Sequence, residues 1–250
     1  MRSETFSTPG PVSLRLRIPA GDVEIETAAA EETSVELEAH GRDADELERD
    51  AEISVRRRGD GYEVVVEADE RRGGLFRGRS GEYRVRIAAP DGVEVDAKLA
   101  SADIAGRGRY GALDIDVASG DVQFQEVTGE AKVNTASGDV QIRSVGSAHV
   151  NSASGDVQIG SATGPVSANT ASGDVQIGSV TRGEVKVQSA SGDVQVGVAK
   201  GSRLWVDAHT LSGDTASELE LESGEVQDDD GPLVELRARS MSGDIEIRRG

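Results

Sequence analysis

Between residues 111 and 200 apolar and polar side chains alternate in short runs, and the runs restart about every nine residues. Residues 120–128 read GDVQFQEVT and 129–137 read GEAKVNTAS, while 173–181 read GDVQIGSVT and 183–191 read GEVKVQSAS. A period of two marks a strand with one buried face. In Asp139-Val140-Gln141-Ile142, Val140 and Ile142 point one way and Asp139 and Gln141 the other. In the partner half Ala148 and Val150 point in and His149 points out. Each half opens on a turn residue and closes near a small or β-branched apolar one.

The runs belong to a longer repeat. Ser-Gly-Asp recurs with its Gly at 120, 138, 155, 173, 192, 213 and 243, and the first five copies are 18, 17, 18 and 19 residues apart. Ser101-Ala102-Asp103 is a degenerate copy 18 residues before the first. Neither a half nor a single rung can hide its apolar face, so the rungs must stack, about 4.8 Å apart. Stacking predicts inward columns: Val122, Val140, Val157, Val175 and Val194, beside Phe124, Ile142, Ile159, Ile177 and Val196. Ala131, Ala148, Val166 and Val185 face them, with Val133, Val150, Ala168 and Val187. Burying one Val or Ile contributes roughly 1.5–3 kcal/mol before entropy is counted. The outward columns are Asp121, Asp139, Asp156, Asp174 and Asp193, then Gln123, Gln141, Gln158, Gln176 and Gln195. Asn134, Asn151 and Asn169 form a third, continued by Gln188. Amide columns can hydrogen-bond along a stack.

On either side the strict period is lost. Alternation still predicts strands over 12–18, 22–27, 34–39, 52–57, 62–68, 82–88 and 93–99, and a short helix over 43–51. Residues 71–80 read as an exposed basic loop whose tip carries Leu75 and Phe76, expected to tuck in. After Gly201 the spacing lengthens to 21 and then 30, with Trp205, Leu219, Leu221, Leu233, Leu236 and Met241 as larger side chains. End rungs expose strand edges and core and so must differ from interior ones. Trp205 is therefore expected in the core or the cap rather than as a ligand-stacking platform. The expected organisation is an irregular β-strand region over 1–110 continuous with the solenoid, regular rungs over 111–200, and C-terminal rungs with a cap over 201–250.

Composition narrows the core. Aromatics are 3% of the 250 residues and hydrophobics 36%, mostly Val, Ala, Ile and Leu, which suits a thin interior between two close walls. Gly is frequent at 31 and Pro scarce at 6, as expected for many tight turns. The net charge of −19 opposes binding to nucleic acid or anionic membrane. Asp228, Asp229 and Asp230 read as a solvated loop. There is no cysteine, so no disulfide or thiol chemistry is expected. No run of about 18 apolar residues predicts a transmembrane helix. Residues 1–11 are polar and lack a signal-peptide core, so a cytoplasmic location is expected. The 23 Arg against 4 Lys point to a GC-rich bacterial genome.

Candidate chemistry is sparse. Carboxylates stacked at rung spacing repel unless they are solvated, hydrogen-bonded or bridged by a cation. Turn capping by the Asp column is the favoured reading, and weak Ca²⁺ binding along it is the alternative. Calcium-binding β-rolls use two further glycines per loop, absent here. His40, His149 and His209 follow no ligand spacing, and His149 is expected to be solvated. No Gly-x-Ser-x-Gly elbow and no Walker lysine occur. A pectate-type enzyme face would need clustered acids and bases, but the regular region has only Lys132, Arg143, Arg182, Lys186 and Lys200. No catalytic, cofactor-binding or metal residues are predicted.

Gly21-Asp22-Val23-Glu24-Ile25, the segment Tyr83-Arg84-Val85-Arg86-Ile87-Ala88-Ala89-Pro90 and the serial Ser-Gly-Asp-Val-Gln-Ile units resemble the DUF4097 family of adhesin-like, β-strand-repeat proteins. The resemblance covers nearly the whole chain and implies no catalytic residues. The expectation is an all-β chain: a single-stranded β-solenoid, β-helix- or β-roll-like, with about 18 residues and two short strands per rung. Its expected role is a non-enzymatic scaffold or binding module with a protein or glycan partner, as a monomer or with weak self-association. A structural protein stacking end to end, or a glycan-active enzyme, is the alternative.

Overall fold

The computed structural model describes residues 1–68, 81–217 and 231–250. The basic loop at 71–80 with Leu75 and Phe76, the acidic run Asp228–Asp230, Leu219 and Leu221 lie outside the described residues. The chain forms two compact units, Met1–Thr128 and Gly129–Gly250.

The first unit contains β1 (Arg2–Ser7), β2 (Val12–Ala28), β3 (Glu32–Gly41), α1 (Ala44–Asp50), β4 (Glu52–Arg58), β5 (Gly61–Glu67), β6 (Gly81–Pro90), β7 (Val93–Ser119) and the start of β8 (Val122–Ser137). Every run predicted from alternation falls on one of these strands, save that Ala68 lies just past β5. Val12–Ile18 and Asp22–Thr27 join into β2, whose buried positions switch from even to odd numbers across Pro19-Ala20-Gly21. That switch is a corner between two walls. On one side the first half of β2 pairs in parallel with β5 and the second half with β6. On the other side both halves run along β7, from Ser13↔Glu94 to Glu26↔Arg107. β2 and β7 are thus adjacent rungs, and Asp22 stands in the column of Asp103.

Outside these rungs the pairing turns antiparallel: β3 covers β6, β1 covers β3, and β4 covers β5. Helix α1, where residues 43–51 predict it, buries Leu47, and a Cβ on Gly81 would stand 2.2 Å from its Cδ1. The irregular region is therefore made of rungs with antiparallel strands outside them. Alternation reads the same in parallel and antiparallel strands, so the sequence pattern is silent on this direction.

The second unit holds the rest of β8, then β9 (Val140–Ser154), β10 (Val157–Ala162), β11 (Val166–Ser172), β12 (Val175–Val180), β13 (Gly183–Ser191), β14 (Val194–Val198), β15 (Arg203–Thr210), β16 (Thr215–Ser217), β17 (Leu233–Ser242) and β18 (Ile245–Arg249). The expected register is observed: Val157 pairs with Val140 and Val175, Gln158 with Gln141 and Gln176. On the other wall Val166 pairs with Ala148 and Val185, and Ala168 with Val150 and Val187. All these aliphatic columns are buried.

The last rungs do not stack in chain order. β13 pairs with β17 and β14 with β18, while β15 and β16 pair with the far sides of β17 and β18. The C-terminal rung is inserted between the rung before it and the one before that. Inward side chains explain the choice. β17 and β18 bring Val234, Leu236, Ala238, Ile245 and Ile247, all buried. The equivalent places in β16 are Thr215 and Ser217, which tolerate water. Of the two places expected for Trp205, the structure excludes the core: it lies on β15 of the outermost described rung, aligns with the outward Glu235 and is 48% exposed.

Candidate interaction surface

Each Ser-Gly-Asp corner carries a glycine with φ between +122° and +142° in the copies at 120, 138, 155, 173, 192, 213 and 243. L side chains rarely take this backbone. The corners also stack too closely for a Cβ: one on Gly173 would lie 2.3 Å from the Gly155 carbonyl oxygen, and one on Gly192 2.2 Å from that of Gly173. Close stacking sets the geometry of the next residue. In the second unit the Asp174 amide donates to Asp156 Oδ1 at 2.9 Å, that of Asp193 to Asp174 at 2.8 Å, and that of Asp156 to Asp139 at 2.9 Å. The ladder follows spatial rather than chain order, since the Asp244 amide donates to Asp193 and that of Asp214 to Asp244. In the first unit the Asp121 amide donates to Asp103 Oδ1. The Asp column caps turns, but across rungs, with each carboxylate holding the next corner.

On the other wall the asparagines form a continuous amide ladder. Asn169 Nδ2 donates to Asn151 Oδ1 at 2.9 Å, and Asn151 Nδ2 to Asn134 Oδ1 at 2.8 Å. His149 is half-buried beside it, Nε2 lying 3.1 Å from Asn151 Nδ2. Gln188 continues the column in register with Asn169. The adjoining outward column contains His149, Ser167, Lys186 and Arg237, and Arg237 pairs with Glu184 at 2.7 Å. The glutamine column on the first wall is more exposed, with a bond of 3.3 Å from Gln158 Nε2 to Gln176 Oε1.

Beneath the asparagines runs a feature that sequence reasoning missed: Thr135, Ser152, Thr170, Ser189 and Ser240 are buried in one inward column. Alternation carried one step past Val133 and Val150 puts Thr135 and Ser152 inside. Thr170 Oγ1 donates to the Ser172 carbonyl at 3.1 Å, tying the core to the corner.

The histidines do not meet. His40 faces Glu38 at 3.6 Å, His209 faces Asp207 at 2.8 Å, and His149 joins the amide ladder. Among the described residues no group of three His, Cys, Asp or Glu could hold a metal ion, and no helix is long and apolar enough to cross a membrane. A depression of about 410 Å³ lined by Arg2, Asp45, Glu48 and Arg49 is occupied by its own ion pairs, with Glu48 bound to the N-terminus at 2.8 Å and Arg2 to Glu4. What the surface offers is rows of amides and charges fixed at rung spacing.

The family model described as Toastrack DUF4097 matches residues 13–248. No curated protein is similar enough to count as a match. A Bacteroides fragilis protein of solved structure, named "putative adhesin", is 12% identical, with 98% of this chain and 96% of that one covered and a TM-score of 0.55. A Parabacteroides distasonis protein with the same name is 13% identical, with 98% and 96% covered and a TM-score of 0.49. At 12% identity the Bacteroides fragilis likeness concerns the fold.

Proposed function

Because this chain belongs to the DUF4097 family, we propose that it is a non-enzymatic binding module that holds a protein or glycan against the outer face of the wall bearing Asn134, Asn151 and Asn169. The observation that carries the reading is the continuous amide ladder flanked by Lys132, His149 and Lys186. A side chain already held by its neighbours loses little freedom when a ligand lands on it, so such a face is preorganised for polar recognition. Amides supply both donors and acceptors at a fixed repeat, which suits the hydroxyl pattern of an extended glycan or a polar strand. Lys132 and Lys186 add local positive charge to an acidic chain. The adhesin names of the structural neighbours agree with binding rather than turnover.

The test is a glycan array and a panel of candidate protein ligands, read with the native chain and with Lys132→Glu/Lys186→Glu. Retention should fall in the double variant at an unchanged melting temperature. A well-folded chain that binds nothing on either panel would sink the proposal, as would turnover of any glycan by the chain alone.

A further inference from the structure

The outermost described rung of the second unit ends unevenly. On one wall β16 places Thr215 and Ser217 at the inward positions, where water can serve them. On the other wall β15 places Leu204, Val206 and Ala208 there, in register with Val234, Leu236 and Ala238. Leu236 is fully buried, but Val206 is 40% exposed, and Leu211 at the end of the strand is 83% exposed. β15 pairs with β17 on one side, and among the described residues no strand pairs with it on the other. An edge that is apolar on its core face and, among the described residues, open along its backbone is a template for another strand.

The order of side chains along β15 identifies that strand. On its outer face Arg203 and Asp207 stand two residues before and two after Trp205, and on its core face Leu204 and Val206 stand one before and one after. Turned antiparallel about Trp205, a second β15 sets Arg203 against Asp207, Leu204 against Val206, and Trp205 against its own copy. Opposite charges and matched apolar pairs face each other directly, the arrangement that stabilises antiparallel neighbours. Arg203 Nε donates to the Gly231 carbonyl at 3.0 Å, which holds its stem along the edge, and Arg237 sits 5.7 Å from the centre of the Trp205 ring. A two-fold contact needs one self-complementary surface and closes at two chains. Open head-to-tail growth would need a second, matching edge. Among the described residues β1 and β4 each pair on one side only, antiparallel to their inner neighbours, and β4 exposes Arg56, Arg57 and Arg58. Charged edges of that kind resist added strands.

We infer that β15 is a self-recognition edge that joins two copies of this chain antiparallel about Trp205, with Arg203 of each copy paired to Asp207 of the other. The net charge of −19 works against association, so the contact is weak, and salt screens that overall repulsion along with the Arg203–Asp207 attraction.

Sedimentation equilibrium of the full chain over a wide concentration range tests this. The expected result is a two-chain species at high concentration. Asp207→Arg sets like charges opposite each other twice and should weaken association about tenfold. Arg203→Asp should do the same, and the double variant should recover native affinity. A single-chain mass at every concentration overturns the inference, and so does a double variant no tighter than Asp207→Arg. An independent reading uses the absence of cysteine: under mild oxidation Trp205→Cys should form a covalent pair of chains, whereas Gln158→Cys on the exposed glutamine column should not. Equal cross-linking of the two also overturns it.

Discussion

Residues 129–250 turn their corners by repetition, whereas residues 1–128 keep that corner only at Asp22, Asp103 and Asp121 and hold others with different chemistry. In the second unit like stacks on like: Val on Val, Ile on Ile, Asn on Asn, Gly on Gly, with parallel pairing throughout. In the first, the corner near Gly108 is held by Thr27 Oγ1, which accepts the Arg109 amide at 2.7 Å, and by Tyr110, whose hydroxyl donates to the Ile25 carbonyl at 2.7 Å. The Tyr110 ring meets Phe124 edge-on with centroids 4.9 Å apart. Across β5, β2 and β7, Arg15 pairs with Glu63 at 3.0 Å and Arg17 with Asp96 at 3.0 Å. Repetition sets register by identity, because any slip breaks every column at once. The irregular unit sets register with a few unequal contacts, each carrying more of the load. The two units should therefore fail differently.

The largest effect is expected where a column is broken from inside. Val157→Asp places an unpaired carboxylate between Val140 and Val175 and should lower stability by about 3–5 kcal/mol. Gln158→Asp, one residue on but facing solvent, should change it by less than about 0.5 kcal/mol. Chemical denaturation of both decides. Equal losses would mean that the two walls are not closed around the valines.

Next come the glycines, which separate a stacked corner from a simple turn. Gly173→Ala meets both a φ of +125° and the Gly155 carbonyl, and should cost about 2–4 kcal/mol. Gly92→Ala in the first unit has a φ of +81° with nothing within 4 Å of its Cβ, and should cost about 1 kcal/mol. Thermal melts of the pair test whether close stacking, beyond backbone conformation, holds the repetitive corners.

The same contrast explains what could be read from the sequence. A repeated valine reports its own neighbours, because the residue above and below it is printed 17 to 19 positions away. The inward columns and the amide ladder were legible on that basis. Strand direction in the first unit was not, since Val35 and Val85 alternate alike although β3 and β6 run opposite ways. The inserted order of the last rungs was hidden for a related reason: β15 and β17 carry equivalent patterns, and only the polar Thr215 and Ser217 betray which rung lies outermost. Trp205 was expected in the core or the cap because end rungs must differ from interior ones. Its outward register opposite Glu235, not the residue type, decided its exposure. Of the proposed surface, the Asn column was visible and the cross-rung role of the aspartates was not, because local turn capping uses the same residue types.

Tyr110 offers a smaller effect with a pH signature. Burial, reinforced by the nearby Glu26 charge, raises its phenol pKa above the usual value of about 10. The folded state therefore keeps a proton that the unfolded chain loses above about pH 10, and stability attributable to this group falls as pH climbs past that point. The slope from one such group is about 1.4 kcal/mol per pH unit. Tyr110→Phe should cost about 1–2 kcal/mol at neutral pH, through loss of the bond to Ile25, and should flatten part of the alkaline decline. Parallel melts at pH 8 to 11 would show the two curves converging. Curves that stay parallel would mean that Tyr110 ionises as freely in the folded chain as in the unfolded one.

The smallest effect probes the aspartate bonds, which occur within each unit. Asp156 accepts the Asp174 amide through Oδ1 and is otherwise solvated. If the bond matters more than the charge, Asp156→Asn keeps an acceptor in place, relieves repulsion from Asp139 and Asp174, and should leave stability within about 0.5 kcal/mol or raise it at low salt. Asp156→Ala removes the acceptor and leaves the Asp174 amide to water, which should cost about 0.5–1 kcal/mol. A loss in the Asn variant as large as in the Ala variant would transfer the role from hydrogen bond to charge and reopen a cation along the column. In that case added Ca²⁺ should raise the melting temperature of the native chain and not that of Asp156→Asn.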